Sequence, residues 1–365
     1  MRWSVVFLSL LSAFPVSAEV LSSSQGDLTF TRMADGLDEP WSIAFLPEGG
    51  FLLTLRGGEL RHYTSDGNFT PVSGVPEIVV GDQAGLFDVL VPRDFADSRE
   101  IFVSYAKAAQ GGSGTALARA TLNTDGTALE KLSVIFEMTP TYSGFGHYGG
   151  RIVEAPDGKL FLTLGERQEF DPAQDLNQNL GKVIRINRDG SVPEDNPFIG
   201  QENVRPEIWS YGHRNPQGAT LDLEGNLWES EHGAQGGDEV NRVEPGKNYG
   251  WPVISYGKNY DDSPIGEGTA KDGMEQPVHY WDPSIAPSGM LIYSGKLWPE
   301  WKGDIFVGSL KFDHIARLDP DADFAEEVMQ SDVTGRVRDI REASDGSIWF
   351  LSVSGGAVWK ITPTE

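Results

Sequence analysis

Residues 207 to 251 read EIWSYGHRNPQGATLDLEGNLWESEHGAQGGDEVNRVEPGKNYGW, and their central part has the pattern of a β-hairpin. Two short apolar runs, 219 to 223 and 226 to 229, lie on either side of a turn that contains Gly225. Glycine supplies the positive φ that a tight hairpin turn needs, because it has no Cβ atom to clash with the backbone. We therefore predict two antiparallel strands joined at this turn.

Polar loops flank the hairpin on both sides. The loop HRNP precedes the first apolar run, and the glycine-rich loop EHGAQGGDE follows the second. A hairpin brings its two outer ends to the same edge of the sheet, so we expect Arg214 and Asn215 to lie close to the backbone of Gly233 and Ala234. Such a place suits an anion, a cation or both.

The same plan, a turn with Gly or Asp followed by a run of apolar and β-branched residues, recurs along the chain. The composition also favours an all-β protein, because Gly 43, Pro 22 and Trp 10 provide many turns and large aromatic cores. Recurrence at roughly forty to eighty residues predicts a six-bladed β-propeller of four-stranded antiparallel sheets, with an irregular β-sandwich as the alternative. The six units are residues 46–54, 96–104, 155–163, 223–228, 301–307 and 344–351. We expect two longer segments, 171–200 and 256–283, to be loops inserted between hairpins.

The first eighteen residues have the pattern of an export signal. A charged start at Arg2 precedes an apolar stretch too short to span a bilayer, and the small residues Val16-Ser17-Ala18 form a cleavage site. We expect a signal peptide at 1–18 and a single propeller domain at 19–365, exported to the periplasm. No other segment has the length and apolarity of a membrane span, so we expect no membrane span after cleavage.

The formal net charge of -25 argues against a nucleic-acid partner, because phosphates would be repelled. Against this acidic background, Arg214, Lys311, Arg336 and Arg338 stand out. Residues two apart on a strand point the same way, so Arg336 and Arg338 can face one ligand. Arginine suits carboxylates and lysine suits a point negative charge, although solvated surface cations are the alternative.

His147 lies among glycines in the string GFGHYGGR, directly before a predicted hairpin, and Glu166 lies at the far end of that hairpin. A histidine at an exposed strand start is suited to act as a general base, and Glu166 is placed to orient its ring and stabilise its imidazolium form. A lone histidine is also common as a structural residue. The residues alone leave both roles open.

The strings GHRNPQG, SEHG and NYGWP, in this order and spacing, resemble the soluble glucose/sorbosone dehydrogenase family of pyrroloquinoline quinone (PQQ) enzymes, and are most similar to its short aldose sugar dehydrogenases. Family-like strings run from Pro40 to about Trp359. The resemblance implies that His147 is the base, with Glu166 where many members have Asp. It also implies that the cofactor pocket is lined by Gln83, Arg214, Asn215, Lys311, Arg336 and Arg338.

The resemblance further implies calcium. One ion would bind the backbone carbonyls of Gly233 and Ala234, the latter at a position where members often have Pro, and PQQ oxygens and water would complete its shell. Calcium takes six to eight oxygen ligands and does not need a cage of carboxylates. A second, structural ion would bind Glu239 and the carbonyl of Tyr249, unless Glu239 simply faces water.

Together these features predict oxidation of an aldose at its anomeric carbon to the lactone, with PQQ accepting the hydride and His147 removing the proton. No haem attachment motif is present, so electrons must pass to an external acceptor. Two other classes remain open: a calcium-dependent propeller lactonase and a non-catalytic carbohydrate-binding propeller. The first does not need four cations at the axis, and the second does not explain the surroundings of His147.

Overall fold

The computed structural model describes residues 18–364, which form 25 β-strands, numbered here along the chain, and four short helical turns. The signal peptide predicted at 1–18 lies outside the described residues except for Ala18. The first two strands are β1 (Ala18–Ser23) and β2 (Gly26–Ala34). Blade 1 contains β3 (Pro40–Phe45), β4 (Phe51–Leu55), β5 (Glu59–Tyr63) and β6 (Phe69–Pro71). Blade 2 contains β7 (Leu86–Leu90), β8 (Glu100–Ala109), β9 (Gly112–Leu122) and β10 (Leu129–Glu137).

The remaining strands continue this plan. Blade 3 contains β11 (Gly149–Glu154), β12 (Leu160–Leu164), β13 (Lys182–Ile186) and β14 (Ile208–Tyr211). Blade 4 contains β15 (Pro216–Leu221), β16 (Leu227–Glu231), β17 (Asp238–Val243) and β18 (His279–Trp281). Blade 5 contains β19 (Pro287–Ile292), β20 (Ile305–Ser309), β21 (Ile315–Asp319) and β22 (Ala325–Met329). Blade 6 contains β23 (Val337–Glu342), β24 (Ile348–Ser352) and β25 (Ala357–Pro363). The helical turns are α1 (Phe95–Ser98) and the 3-10 turns Asp171–Gln174, Pro299–Trp301 and Pro320–Ala322.

The sheets form a ring, which confirms the predicted six-bladed propeller. Each sheet is antiparallel, and in blades 1 to 5 the strands lie in sequence order. The first strand of every blade contacts the first strands of both neighbouring blades. These six inner strands, β3, β7, β11, β15, β19 and β23, therefore surround a central axis. Large apolar side chains fill the space between blades, as where Trp301 and Phe306 of blade 5 pack in one cluster with Phe350 of blade 6.

The two ends of the chain close the ring in blade 6. β2 pairs with β25, and β1 pairs with the outer side of β2, so this sheet has five strands where four were predicted. The extra strand is held because Leu21, opposite Leu28 in the register, packs on the core between blades 5 and 6.

All six turn-plus-strand units fall at the same structural position, the turn between the first and second strands of a blade, and the hairpin around Gly225 joins β15 to β16. The interpretation of 171–200 and 256–283 as loops was wrong in part. The first segment contains β13 and the second contains β18. β18 has only three residues, too few to show an alternating pattern.

A buried ion network crosses the axis. Arg151 on β11 lies between Asp88 on β7 and Asp339 on β23, with nitrogen to oxygen distances of 3.2 and 3.1 Å. Arg341 binds the same two carboxylates at 3.2 and 3.1 Å. The backbone N–H groups of Ile43 and Ile152 also donate to them. The network thus joins four of the six inner strands.

Among residues 18–364, no helix is long and apolar enough to cross a membrane.

Candidate functional site

The loops before the first strand and after the second strand of the blades open at one end of the ring, around a cavity of about 660 Å³. Most predicted cofactor residues line this cavity. They are Gln83, Asn215, Lys311, Arg336 and Arg338, whereas Arg214 does not line it. Gly233 and Ala234, predicted to bind a metal, also line the cavity. Trp41, Arg56, Gln217, His232 and Tyr260 line it as well.

Positive charge dominates one wall of the cavity. The guanidinium of Arg338 donates to Gln217 at 2.9 Å, and that of Arg336 donates to the carbonyl of Leu310 at 2.8 Å. No carboxylate of the described residues forms an ion pair with Arg336, Arg338 or Lys311. Burial, together with Arg336, Arg151 and Arg56, lowers the pKa of Arg338 to about 9. Crowded cations without a counter-charge are suited to bind an anion.

His147 lies beside the cavity and is buried, with Tyr148 and Gly149 forming the adjacent wall. Its Nδ1 is 2.5 Å from Oε1 of Glu166, whose other oxygen accepts from the N–H of Phe170 at 3.1 Å. An ionised carboxylate only accepts hydrogen bonds, so Nδ1 carries the proton and Nε2 keeps a lone pair. The side chain of Glu166 therefore reaches the ring and can orient it.

The pKa of His147 lies below its ordinary value, because burial outweighs the hydrogen bond that the ring donates to Glu166. The charge of Arg214 and, to a lesser extent, that of Arg167 lower this pKa further. The sequence led us to expect that Glu166 would raise this pKa by stabilising the imidazolium. The glutamate does act in that direction, but desolvation is the larger cause, so the ring is neutral at pH 7.

Two amides connect the histidine to the cavity. Gln83 accepts the backbone N–H of His147 through Oε1 at 2.8 Å. Asn215 accepts from the N–H of Gly149 at 3.2 Å and from Gln217 at 3.2 Å. Both side chains are thus fixed through their oxygens.

Arg214 lies next to the backbone of Gly233, as the hairpin geometry led us to expect, but it does not line the cavity with the other cations. Its guanidinium donates to the carbonyls of His232, at 3.2 Å, and of Gly233, and lies 5.1 Å from the ring centre of Trp251. Gly233 and Ala234 both line the cavity, and the N–H of Gly233 donates to the buried Asp238 at 2.8 Å, while its carbonyl accepts from Arg214. A calcium ion on this carbonyl would have to share it with Arg214 or displace that side chain.

The surroundings of the second predicted metal position favour a cation. Glu231, Glu239 and Tyr249 line a small cavity of about 10 Å³, about enough for one water or ion. Burial and the charge of Glu231 raise the pKa of Glu239. Glu229 next to them is fully buried, its Oε2 has no hydrogen-bond partner, and its pKa is raised for the same reasons. Glu239 does not simply face water, and three neighbouring carboxylates suit calcium.

His232 and Arg56 were missed in the sequence. Nε2 of His232 donates to the carbonyl of Pro287 at 2.7 Å, which leaves Nδ1 as an acceptor, and burial together with the charges of Arg214, Arg338 and His147 lowers its pKa to about 3. Arg56 donates to three carbonyls of the loop before β7. Both residues directly follow the second strand of a blade. Once the propeller repeats are recognised, this position in the repeat identifies both residues as candidates for the site.

Comparisons with known proteins agree with this geometry. The family model for glucose/sorbosone dehydrogenase matches residues 37–360. The chain is 42% identical over 340 residues to the aldose sugar dehydrogenase YliI of Escherichia coli, covering 91% of this chain and 92% of the relative. It is 30% identical to quinoprotein glucose dehydrogenase B of Acinetobacter calcoaceticus over 84% of this chain and 70% of the relative. The crystal structure of the soluble aldose sugar dehydrogenase from Escherichia coli in its apo form superposes with a TM-score of 0.88 at 40% identity, covering 92% of this chain and all of that one.

Proposed function

Because the chain belongs to the glucose/sorbosone dehydrogenase family, we propose that it oxidises an aldose at its anomeric carbon to the lactone with PQQ as its cofactor. The observation that carries the proposal is a wall of cations without carboxylate partners beside an oriented, neutral histidine. Two relatives support this proposal, because one is named an aldose sugar dehydrogenase and the other a quinoprotein glucose dehydrogenase.

The residues of the cavity suit PQQ, which carries three carboxylates and an ortho-quinone. Arg336, Arg338 and Lys311 would bind the carboxylates, because guanidinium and ammonium groups form charge-assisted hydrogen bonds with them. Asn215 and Gln83 would present their amide groups to the same ligand, and Arg214 would bind from the side of Gly233. When bound, the cofactor supplies a quinone that accepts the hydride from the anomeric carbon.

His147 would remove the proton of the anomeric hydroxyl through Nε2, as the hydride leaves the same carbon and the C=O bond of the lactone forms. Glu166 holds Nδ1–H, so Nε2 is directed and the imidazolium that forms is stabilised. The low pKa of His147 keeps the ring in its active, neutral form at pH 7.

We also propose calcium as the metal, at the carbonyls of Gly233 and Ala234 and at Glu239 with the carbonyl of Tyr249. The buried carboxylates around Glu239 support the second position, because a divalent cation would neutralise charges that otherwise repel each other. The unpaired cations at the cavity argue against the calcium-dependent lactonase alternative, which does not need them, and the His147–Glu166 pair argues against a purely sugar-binding protein.

The electrons would pass to an external acceptor.

We propose that the protein acts in the periplasm, on the basis of the leader pattern at 1–18. Sequencing the N-terminus of the exported protein tests this. A mature chain that begins at Glu19 is the expected result, and a chain that retains Met1 would contradict it.

Reconstitution tests the enzymatic proposal. Protein freed of PQQ and treated with a chelator should reduce an artificial dye with glucose only after both PQQ and calcium are added. The melting temperature should rise as well, since a ligand at a hundredfold excess over Kd stabilises the folded state by about 2.7 kcal/mol. Full activity without PQQ, or lactone hydrolysis with calcium alone, would contradict the proposal.

A further inference from the structure

Arg167 is a buried cation that the proposed reaction does not use. It is 1% exposed, directly follows Glu166, and forms no ion pair with a carboxylate of the described residues. A buried, unpaired arginine is costly to desolvate, so its place in the fold needs a reason.

The contacts of Arg167 all involve the loop that bears His147. One guanidinium nitrogen donates to the carbonyl of Gly146 and the other to the carbonyl of Gly144. The guanidinium carbon lies over the ring of Tyr148, 3.6 Å from its centre. The backbone N–H of Arg167 also donates to the carbonyl of His147 at 3.3 Å. One residue therefore holds both sides of the histidine.

The loop needs such support because its backbone is strained. His147 has a φ of 48°, in the left-handed region that non-glycine residues rarely adopt. The two glycines at 144 and 146 would otherwise give the loop additional freedom. Without an anchor, a relaxed loop would turn Nε2 away from the cavity.

We propose that Arg167 is a positioning residue for the general base, which fixes residues 144–148 so that Nε2 of His147 is directed towards the anomeric hydroxyl. The role of His147 rests on the proposed function, but the anchoring of its loop does not. Arg167 also contributes positive charge near the ring, and Glu166, Arg214 and His232 are the other charged or titratable groups that act on it. Arg167 therefore has a second effect, which is to help keep the imidazole neutral.

Two variants separate the anchor from the charge. Arg167→Met removes both, so kcat should fall by about tenfold to a hundredfold, as expected for a misplaced catalytic group, and the pH limb of kcat should move to higher pH. Arg167→Lys keeps the charge, but its single ammonium group cannot reproduce the planar pair of donors that binds both carbonyls. The kcat should therefore fall while the pH limb stays close to that of the wild type. PQQ affinity should change by less than about threefold in either variant, because Arg167 does not line the cavity.

Arg317→Met is the matched control, because Arg317 is also buried and lies 5.5 Å from the ring centre of Trp301 in blade 5, away from the cavity. It should lower the melting temperature and leave kcat and its pH limb unchanged. If the Arg167 variants behave like this control, Arg167 is only structural and the proposal is overturned. If Arg167→Met does not fold, Arg167→Lys gives the same decision.

Histidine NMR on cofactor-free protein provides a readout that does not need activity. The pKa of His147 should rise in Arg167→Met, and its ring signals should broaden or shift in both variants. If wild type oxidises no aldose, the proposed function fails while this titration still tests the anchor. An unchanged His147 spectrum in both variants would overturn the anchor even in an active enzyme.

Discussion

The propeller has two groups of arginines near its axis, and they differ in their partners. In the axial network, Arg151 and Arg341 are each bound by Asp88 and Asp339. At the cavity wall, Arg336 and Arg338 donate only to neutral oxygens. The residue type and the neighbourhood are the same, since Arg151 and Arg338 both lie against Trp41.

This difference separates the arginines that stabilise the fold from those that are available to bind a ligand. A paired arginine holds blades together and its charge is already balanced. Arg338, which has no carboxylate partner among the described residues, has a lowered pKa and leaves a positive potential that a ligand can neutralise. The axial network should therefore govern stability, and the cavity cations should govern binding.

The largest effect is expected in the axial network. Asp88→Asn removes one charged partner of the buried Arg151 and of the partly buried Arg341. It should lower the free energy of unfolding by about 3–5 kcal/mol, measured by urea denaturation without cofactor. Glu267→Gln is the control, because its pair with Lys271 is exposed and should contribute less than about 1 kcal/mol. Similar losses in both variants would remove the distinction between buried and surface pairs.

Replacing a cavity cation should have the opposite result, weaker cofactor binding without a loss of stability. Arg338→Met should weaken PQQ binding by about 2–5 kcal/mol, because a cofactor carboxylate is left without its partner. The free energy of unfolding of the cofactor-free protein should not fall, since an uncompensated charge is removed. Calorimetric titration with PQQ measures the first quantity and urea denaturation the second. Normal PQQ affinity would place this side chain outside the cofactor pocket.

A smaller effect is expected for the base. His147→Gln should lower kcat by about a hundredfold or more and leave PQQ affinity nearly unchanged, because a positioned base typically contributes that much. In wild type, kcat should rise with pH through the imidazole pKa, which burial sets below 6.5. Oxidation of glucose by His147→Gln at the wild-type rate would show that the proton leaves by another route.

The smallest effect concerns Glu166. Glu166→Gln removes a group that raises the pKa of His147, so the rising limb of kcat should move to lower pH. The plateau rate should also fall, because a neutral amide holds Nδ1–H less firmly than a carboxylate. A pH series of kcat on both proteins measures the two effects, and a limb that moves to higher pH would contradict the assigned pairing.

The ring could be predicted from the sequence because each blade repeats one local signal. The turns before β4, β8, β12, β16, β20 and β24 contain the Gly or Asp residues that their conformation requires. The third and fourth strands carry no such signal. β13 and β18 lie within long segments without a turn signal of this kind, and β1 and β2 belong to a sheet whose other three strands lie at the far end of the sequence.

The sequence predicts most residues of the site and two of the contacts between them, but it does not predict how burial changes their pKa values. The pairing of His147 with Glu166 follows from their places on one hairpin. The contact between Arg214 and Gly233 follows from another. The low pKa of His147 could not be predicted, because burial arises from blades that are distant in the sequence. The same holds for Arg167, which in the sequence is simply the residue after Glu166.

The closure of blade 6 by both ends of the chain also determines when the protein can be complete during its synthesis. β2 is made early, and apart from the neighbouring β1 it pairs with β25, which ends at Pro363. Until those last residues have left the ribosome, β2 and β24 both have an unpaired edge and the ring stays open. The incomplete chain therefore cannot close the propeller.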